Sequence, residues 1–199
     1  MSNKVWKQLT PFYFYTLLSV GLGVAALISE ARSMTRVVVL FLTGVLSWGL
    51  LEYCLHRLVF HFEAQSEKGR KFVYAMHLSH HAKPKDMDDL FASLSLSLPL
   101  ASGYCLLAWA LTGSWQAMVY LFIGLTAGYF SYEFLHYQAH HHSPRLGVLR
   151  YLKKYHLLHH HQSSALHFGV TSPVFDYLFG TFRSTQQDRA VKSSGITYR

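Results

Sequence analysis

The chain has 199 residues and 14 histidines, and all but His167 fall into four short groups. The groups are HRLVFH at 56–61, HLSHH at 77–81, HYQAHHH at 136–142 and HLLHHH at 156–161. Each imidazole brings a hydrogen-bond donor and an acceptor that need partners, so histidines at this density make a poor apolar core. Neutral imidazole is a common metal ligand. The pattern therefore indicates a metal centre.

The spacing within the groups predicts how the rings are presented. Histidines at i, i+3 and i+4 in 77–81 and again in 156–160 share one face of a helix, and those at 136 and 140 lie one turn apart. In 56–61 the two rings are about 140° apart on an ideal helix, so they must straddle a site or adjust at a helix end. The ten patterned candidates for metal ligands are His56, His61, His77, His80, His81, His136, His140, His156, His159 and His160.

Ten imidazoles are enough for two metal ions with about five nitrogen ligands each. Imidazole binds zinc, copper, iron and nickel alike, so the residues leave the metal open. A structural zinc site usually includes thiolate, but Cys54 and Cys105 both lie in apolar stretches. His141 and His142 fall outside the helical pattern and are expected to be exposed or to support a ligand. His167 is interpreted as a surface or hydrogen-bonded core residue.

The elements that must carry these rings are apolar. Hydrophobic residues make up 51% of the chain and charged residues 14%, against about 25% charged in soluble proteins. This excludes a disordered chain, and the presence of only two cysteines argues against a disulfide-stapled domain. A bilayer core of about 30 Å needs roughly 20 apolar helical residues. Four blocks are predicted to span the membrane: 11–28, 37–55, 90–111 and 115–135.

The basic residues predict the orientation. If the amino terminus is cytoplasmic, Arg32 and Arg36 are the only two of the 18 lysines and arginines on the outer side, which agrees with the positive-inside rule. The net charge of +8 is then a cytoplasmic bias that meets anionic lipid. Nucleic-acid binding is not expected, because no basic stripe alternates with exposed aromatic residues.

The same topology places every histidine group on the cytoplasmic face. The predicted fold is all-α and integral to the membrane, with four transmembrane helices and a cytoplasmic histidine-rich cap that holds a dimetal site. One domain covers residues 1–199, the cap comprises 56–89 and 136–183, and a tail follows at 184–199. The expected location is a bacterial inner membrane, or the endoplasmic reticulum in a eukaryote.

The motifs resemble those of the fatty acid hydroxylase/sterol desaturase superfamily of membrane di-iron enzymes. The resemblance covers roughly residues 50–183 and is greatest to the fatty acid 2-hydroxylase branch. The stretches that carry it are HRLVFHF at 56–62, HLSHHAKPKD at 77–86, GYFSYEFLHYQAHHHSP at 128–144 and HLLHHHQSSALHFGVTSPVFDYLFGTF at 156–182.

The resemblance implies that the ten patterned histidines bind two iron ions, which zinc can replace in purified material. It implies O2-dependent hydroxylation of an acyl chain in a fatty acid or acyl lipid. Only about ten residues precede the first apolar block, so electrons are expected from a separate ferredoxin, or a small cytochrome with its reductase. Two alternatives stay open: a sterol or carotenoid hydroxylase or desaturase of the same superfamily, and a non-catalytic metal-binding membrane protein.

Four further residues are candidates for orienting the ligands. Glu52 lies four residues before His56 and Glu133 three residues before His136, and acids inside membrane blocks are usually functional. The alternative for each is an interfacial acid paired with lysine or arginine. Asp176 lies in an aromatic segment that either packs over the metal site or serves as core or membrane anchor, and His161 follows the last patterned histidine.

Overall fold

The computed structural model describes residues 3–29 and 33–184, and every regular element in these ranges is helical. Two π-helical turns, His56–Phe60 and Tyr74–Leu78, continue the α-helices, and one 3-10 turn, Met87–Asp89, stands apart from them. The α-helices are α1 Asn3–Ser29, α2 Met34–Leu55, α3 Glu67–Val73, α4 Ser79–Ala82, α5 Leu94–Thr112, α6 Trp115–His141, α7 Gly147–His161 and α8 Val174–Leu178. Arg32 and residues 185–199 of the predicted tail lie outside the described residues.

Four stretches are long and apolar enough to cross a membrane, which confirms the predicted all-α fold with four transmembrane helices. They are Gln8–Ser29, Met34–Phe60, Met87–Thr112 and Trp115–His141. Each covers one predicted block, although regular α-helix in the third begins at Leu94 rather than at residue 90. Large apolar side chains on α1, α2 and α5 remain exposed, including Leu17, Leu46 and Leu111. Such a surface is stable against lipid and would be costly in water.

Helix α6 lies at the centre and packs against α1, α2, α5 and α7. Its closest neighbour is α2, where Gly44 and Gly124 let the two backbones meet. A Cβ added to Gly124 would lie 2.0 Å from the carbonyl oxygen of Phe41, and one added to Gly44 would lie 2.1 Å from that of Leu121. Membrane helices associate through such small residues, because lipid gives little hydrophobic drive for helix packing. This contact positions the ends of α2 and α6.

We expect Gly124→Leu to destabilise the protein strongly, because the added side chain cannot enter the contact without separating α2 from α6. Overpacking of this kind costs about 1–3 kcal/mol or more, and thermal unfolding in detergent measures it. Gly103→Ala is the matched control, since nothing lies within 4 Å of its added Cβ and alanine favours helix. A Gly124→Leu protein that melts like the wild type would contradict this account of the contact.

The shorter helices α3, α4, α7 and α8 gather at the end of the bundle where α2 and α6 terminate. Helix α7 packs against α6, and α8 packs against α2. Phe175 of α8 lies against Gly49, 3.1 Å from the position a Cβ would occupy there. The cap is therefore attached to the membrane helices by contacts to both α2 and α6.

Candidate metal centre

The structure brings the ten patterned histidines together as two groups of five at one end of the bundle. Within each group the candidate ligand atoms all lie within 4.8 Å of one another. The first cluster comprises His56, His61, His77, His81 and His159. The second cluster comprises His80, His136, His140, His156 and His160.

The two triplets at i, i+3 and i+4 do not each serve a single cluster. His77 and His81 belong to the first cluster, whereas His80 between them belongs to the second. On helix α7 the division is the opposite: His159 belongs to the first cluster, whereas His156 and His160 belong to the second. Spacing correctly predicts a shared helical face but does not show that the face is divided between two sites.

The five-residue spacing in 56–61 is accommodated by a π-helical turn. The turn His56–Phe60 continues α2 directly, and His61 follows it with φ −109° and ψ 22°. Because a π-turn closes its hydrogen bond at i+5, it brings residues five apart toward the same side. The imidazoles of His56 and His61 have centroids 5.2 Å apart. The helix therefore adjusts at its end, one of the two options that the sequence left open.

Ring nitrogens face one another at short range inside each cluster. In the first, His77 Nε2 lies 3.0 Å from the Nε2 atoms of both His56 and His81. In the second, His80 Nε2 lies 2.8 Å from that of His136 and 3.1 Å from that of His140. A neutral imidazole has a single N–H, so hydrogen bonds between rings cannot satisfy all of these converging nitrogens.

Two rings have their tautomer fixed by the backbone. His56 Nδ1 lies 2.5 Å from the carbonyl oxygen of Phe168, and His159 Nδ1 lies 2.7 Å from that of Leu166. A carbonyl oxygen only accepts, so each Nδ1 donates and each Nε2 keeps a lone pair directed into the cluster. His159 Nε2 lies 3.0 Å from the Nε2 of His61. Lone pairs of this kind, aimed at a common point, fit a metal cation.

Burial keeps the rings in the neutral form that a metal requires. Desolvation lowers the pKa of His61 and of His80 to about 4, and that of His81 to about 3. The pKa values of His77 and His159 lie well below the usual range, because burial and then the neighbouring imidazoles disfavour the charged form. The donor set is therefore neutral nitrogen at pH 7 and competent to bind metal without prior deprotonation.

We expect the metal-free protein to lose stability as pH falls from about 6.5 towards 4. The unfolded histidines titrate near 6.5 and the folded ones lower, so the unfolded chain binds more protons in this window, and stability is complete only above it. Each proton that the unfolded chain binds beyond the folded one lowers the free energy of unfolding by about 1.4 kcal/mol per pH unit, or the Tm by roughly 3–5 °C. Melting of chelator-treated protein at several pH values tests this. A Tm independent of pH across the window would contradict it.

The acidic candidates lie close to the clusters but do not hydrogen-bond the rings directly. Glu52 accepts from the backbone N–H of Val170 and of Thr171, the second at 3.0 Å. Asp176 accepts from the N–H of Phe168 at 2.9 Å and of Gly169 at 2.7 Å. Both carboxylates therefore hold the segment whose carbonyls orient His56 and His159, rather than the rings themselves.

Glu133 and His161 are placed differently. Glu133 is buried and accepts from the backbone N–H of Ala92 at 2.9 Å, which joins α6 to the chain before α5. His161 is exposed at the end of α7 and belongs to neither cluster. His167 is buried with φ 61°, its ring against Tyr155, in agreement with a core role.

Phe168, which precedes the aromatic segment at 172–182, packs over the first cluster, whereas Phe175 and Phe179 of that segment pack on Tyr53. The ring of Phe168 lies 5.5–5.8 Å, centroid to centroid, from those of His56, His61 and His159. The sequence analysis did not identify the carbonyls of Leu166 and Phe168 as functional groups. Backbone acceptors leave no mark in side-chain type, so no signal in a single sequence would have shown them.

An apolar cavity reaches the first cluster from within the membrane region. His56 and Phe60 line it at the metal end, and α1, α2, α5 and α6 supply the remaining walls. From Tyr132 to Phe122 it follows α6 for about 15 Å, given the rise of about 1.5 Å per residue.

A bundle of four membrane-spanning helices that ends in two buried clusters of five histidines, next to an apolar cavity, defines a class of integral-membrane proteins with a metal-binding histidine centre. The model of the fatty acid hydroxylase family matches residues 41–181. The chain belongs to the fatty acid hydroxylase family, and the resemblance seen in its motifs is confirmed.

Curated relatives agree with this assignment. A dihydroceramide fatty acyl 2-hydroxylase of Arabidopsis thaliana, FAH1, is 35% identical over 162 residues, covering 81% of this chain and 68% of the relative. The ceramide very long chain fatty acid hydroxylase SCS7 of Saccharomyces cerevisiae is 38% identical over 146 residues, covering 72% and 38%. The Homo sapiens fatty acid 2-hydroxylase is 34% identical over 148 residues, covering 71% and 39%. The chain thus spans less than half of the yeast and human proteins.

A solved structure agrees as well. The hydroxylase domain of full-length scs7p matches with a TM-score of 0.78 and 32% identity, over 90% of this chain and 66% of that one. The chain is therefore a membrane-bound hydroxylase, an oxidoreductase, as predicted. The non-catalytic alternative receives no support from these relatives.

Proposed function

We propose that the chain hydroxylates carbon 2 of the acyl chain of a ceramide-type lipid. The observation that carries this proposal is the apolar cavity that ends at His56, one of the five histidines of the first cluster. An acyl chain in this cavity would present a carbon near its polar end to the metal centre and keep its tail among apolar side chains. The names of the plant and human relatives supply the position and the lipid class.

We propose that each cluster holds one iron ion, with the ten patterned histidines as ligands. The support is the converging set of neutral nitrogens, to which thiolate and carboxylate contribute nothing. When bound, iron would supply the activation of O2 that insertion into an unactivated C–H bond requires. Zinc suits the same nitrogen donors, so its presence in purified protein would leave the proposal intact.

The surrounding residues keep this chemistry dry. Phe60 stacks on His77 with ring centroids 5.3 Å apart, and Phe168 lies against His61 and His159 of the same cluster. In the second cluster, His136 and His156 are almost completely buried. Exclusion of water favours reaction with an apolar substrate and limits side reactions.

Hydroxylation consumes two electrons and two protons with each O2, and yields one alcohol and one water. We propose that a separate protein, a ferredoxin or a small cytochrome with its reductase, delivers the electrons on the cytoplasmic face. The basic residues of the cap support this orientation.

A cysteine placed at Ser143, exposed just beyond α6, should react with an impermeant maleimide only after the membrane is permeabilised. Labelling of intact cells would overturn the orientation.

Expression in a host without 2-hydroxylated lipids tests the function. Mass spectrometry of hydrolysed lipids should show acyl chains that gain one oxygen, and fragmentation should place it on carbon 2. His80→Ala and His159→Ala, one variant for each cluster, should abolish the product while the protein remains folded. An oxygen on another carbon would overturn the proposed position. Stable protein with a supplied donor that oxidises only a sterol or carotenoid would overturn the substrate class.

A further inference from the structure

The two clusters differ in what surrounds their outer ring nitrogens. In the first cluster, the Nδ1 atoms of His56 and His159 donate to the carbonyls of Phe168 and Leu166. In the second cluster, four Nδ1 atoms are buried without a hydrogen-bond partner among the described residues: those of His80, His136, His156 and His160. Orientation by the backbone is therefore a property of the first cluster.

Both carbonyls belong to residues 166–171, which we call the acceptor segment. Four successive backbone N–H groups of this segment, from Phe168 to Thr171, donate to only two carboxylates, those of Asp176 and Glu52. The Thr171 hydroxyl adds a bond of 2.6 Å to Glu52. The carboxylates reach the segment from different elements, Glu52 from α2 and Asp176 from α8.

The far side of the segment is also fixed. The backbone N–H of His167 donates to the carbonyl of Thr181 at 3.1 Å, and the Thr181 hydroxyl donates to Asp176 at 2.7 Å. Gly169 has no room for a side chain, since a Cβ would lie 2.1 Å from the carbonyl oxygen of Ser172. Glu52 and Asp176 are themselves almost completely buried. The carbonyl oxygens of the segment are therefore held at defined positions.

We propose that Glu52 and Asp176 are positioning residues that make the first cluster the tighter of the two metal positions. They hold the acceptor segment so that its carbonyls fix His56 and His159 with Nδ1 protonated and Nε2 free to bind. An acceptor on the outer nitrogen also raises the basicity of the ligand. The second cluster lacks this support and binds its ion more weakly. The inference rests on the proposed dimetal centre.

Titration of metal-free protein in nanodiscs with Co²⁺, in competition with a chelator, tests the inference without any need for turnover. The wild type should bind two Co²⁺ with different affinities. Glu52→Ala should weaken the tighter position by about 10–100-fold, the usual effect of losing an outer partner, and leave the weaker one unchanged. Glu52→Gln retains an acceptor oxygen and should restore most of the affinity.

Two further variants separate positioning from damage to the fold. Thr171→Val removes only the hydrogen bond from the Thr171 hydroxyl to Glu52. It should also lower the affinity of the tighter position for Co²⁺. Glu133→Gln alters a buried carboxylate of α6 that contacts Ala92 rather than the acceptor segment. The Co²⁺ affinities of both positions should therefore stay unchanged. The ¹⁵N spectrum of the histidines should show mixed tautomers for two rings in Glu52→Ala.

The Co²⁺ titration tests the positioning role of Glu52 and Asp176 separately from the dimetal centre on which that role depends. If the wild type binds two Co²⁺ with equal affinity, or if Glu52→Ala weakens binding at both positions equally, the positioning role of Glu52 and Asp176 is wrong. The dimetal centre itself would remain supported by such a result. If the wild type binds fewer than two Co²⁺, both the dimetal centre and the positioning role of the two carboxylates are wrong. Hydroxylase activity enters neither outcome, so the substrate proposal is judged separately.

Discussion

His77→Ala and His156→Ala should each lower the metal content from two ions per chain towards one and reduce hydroxylation by at least about a hundredfold. His77 Nε2 lies between two other candidate ligand nitrogens of the first cluster, and His156 Nε2 lies 2.9 Å from that of His140 in the second. Loss of an outer partner alone costs about 10–100-fold, so loss of a ligand should cost more.

Elemental analysis of purified protein, together with product formation from an acyl lipid, measures this effect. His142→Ala is the matched control, because this histidine is exposed at the end of α6 and belongs to neither cluster. It should retain both ions and full activity. Retention of two ions and normal turnover by either ligand variant would show that the cluster in question does not hold a catalytic metal.

Ala101→Phe should reduce the conversion of long acyl chains by about tenfold or more and spare shorter ones. Ala101 lines the cavity from α5, near Phe122, where a larger side chain would occupy space that we assign to the acyl tail. Forcing extra volume into a filled site costs about 1–3 kcal/mol, which corresponds to a factor of roughly 5–150.

The chain-length profile of the hydroxylated products measures this effect, and metal content serves as the internal check. Leu107→Phe adds volume on the lipid-facing side of the same helix, where the side chain is 58% exposed, and should change neither quantity. An unchanged profile for Ala101→Phe, with stable protein and normal metal content, would place the acyl chain outside this cavity.

Much of the architecture could be predicted because membrane solvation leaves strong marks on composition. Apolar blocks about twenty residues long identified the four spans, and helical periodicity identified the ten histidines that the structure brings together. Division of these rings between two clusters could not be predicted. It depends on the rotation of α4 and α7 relative to α6, which packing decides, and on the π-turn at His56–Phe60.

The acidic residues show where pattern reasoning stops. Position along a helix placed Glu52 one turn from His56, but the carboxylate turns away from the ring to the backbone of Val170 and Thr171. Those partners lie more than a hundred positions away along the chain, and neither their side chains nor their spacing marks them. Tertiary contacts made through backbone atoms are invisible to residue type.

The contact of α2 with α6 at Gly44 and Gly124 has a consequence for the order of biogenesis. It consists of backbone against backbone in the lipid phase and involves no histidine, so it can form as soon as both helices have been inserted. Its formation brings together the ends that carry His56, His136 and His140 before any ion arrives. We therefore expect the scaffold of the two clusters to assemble in the membrane without metal, so that a metal-free protein can be purified folded.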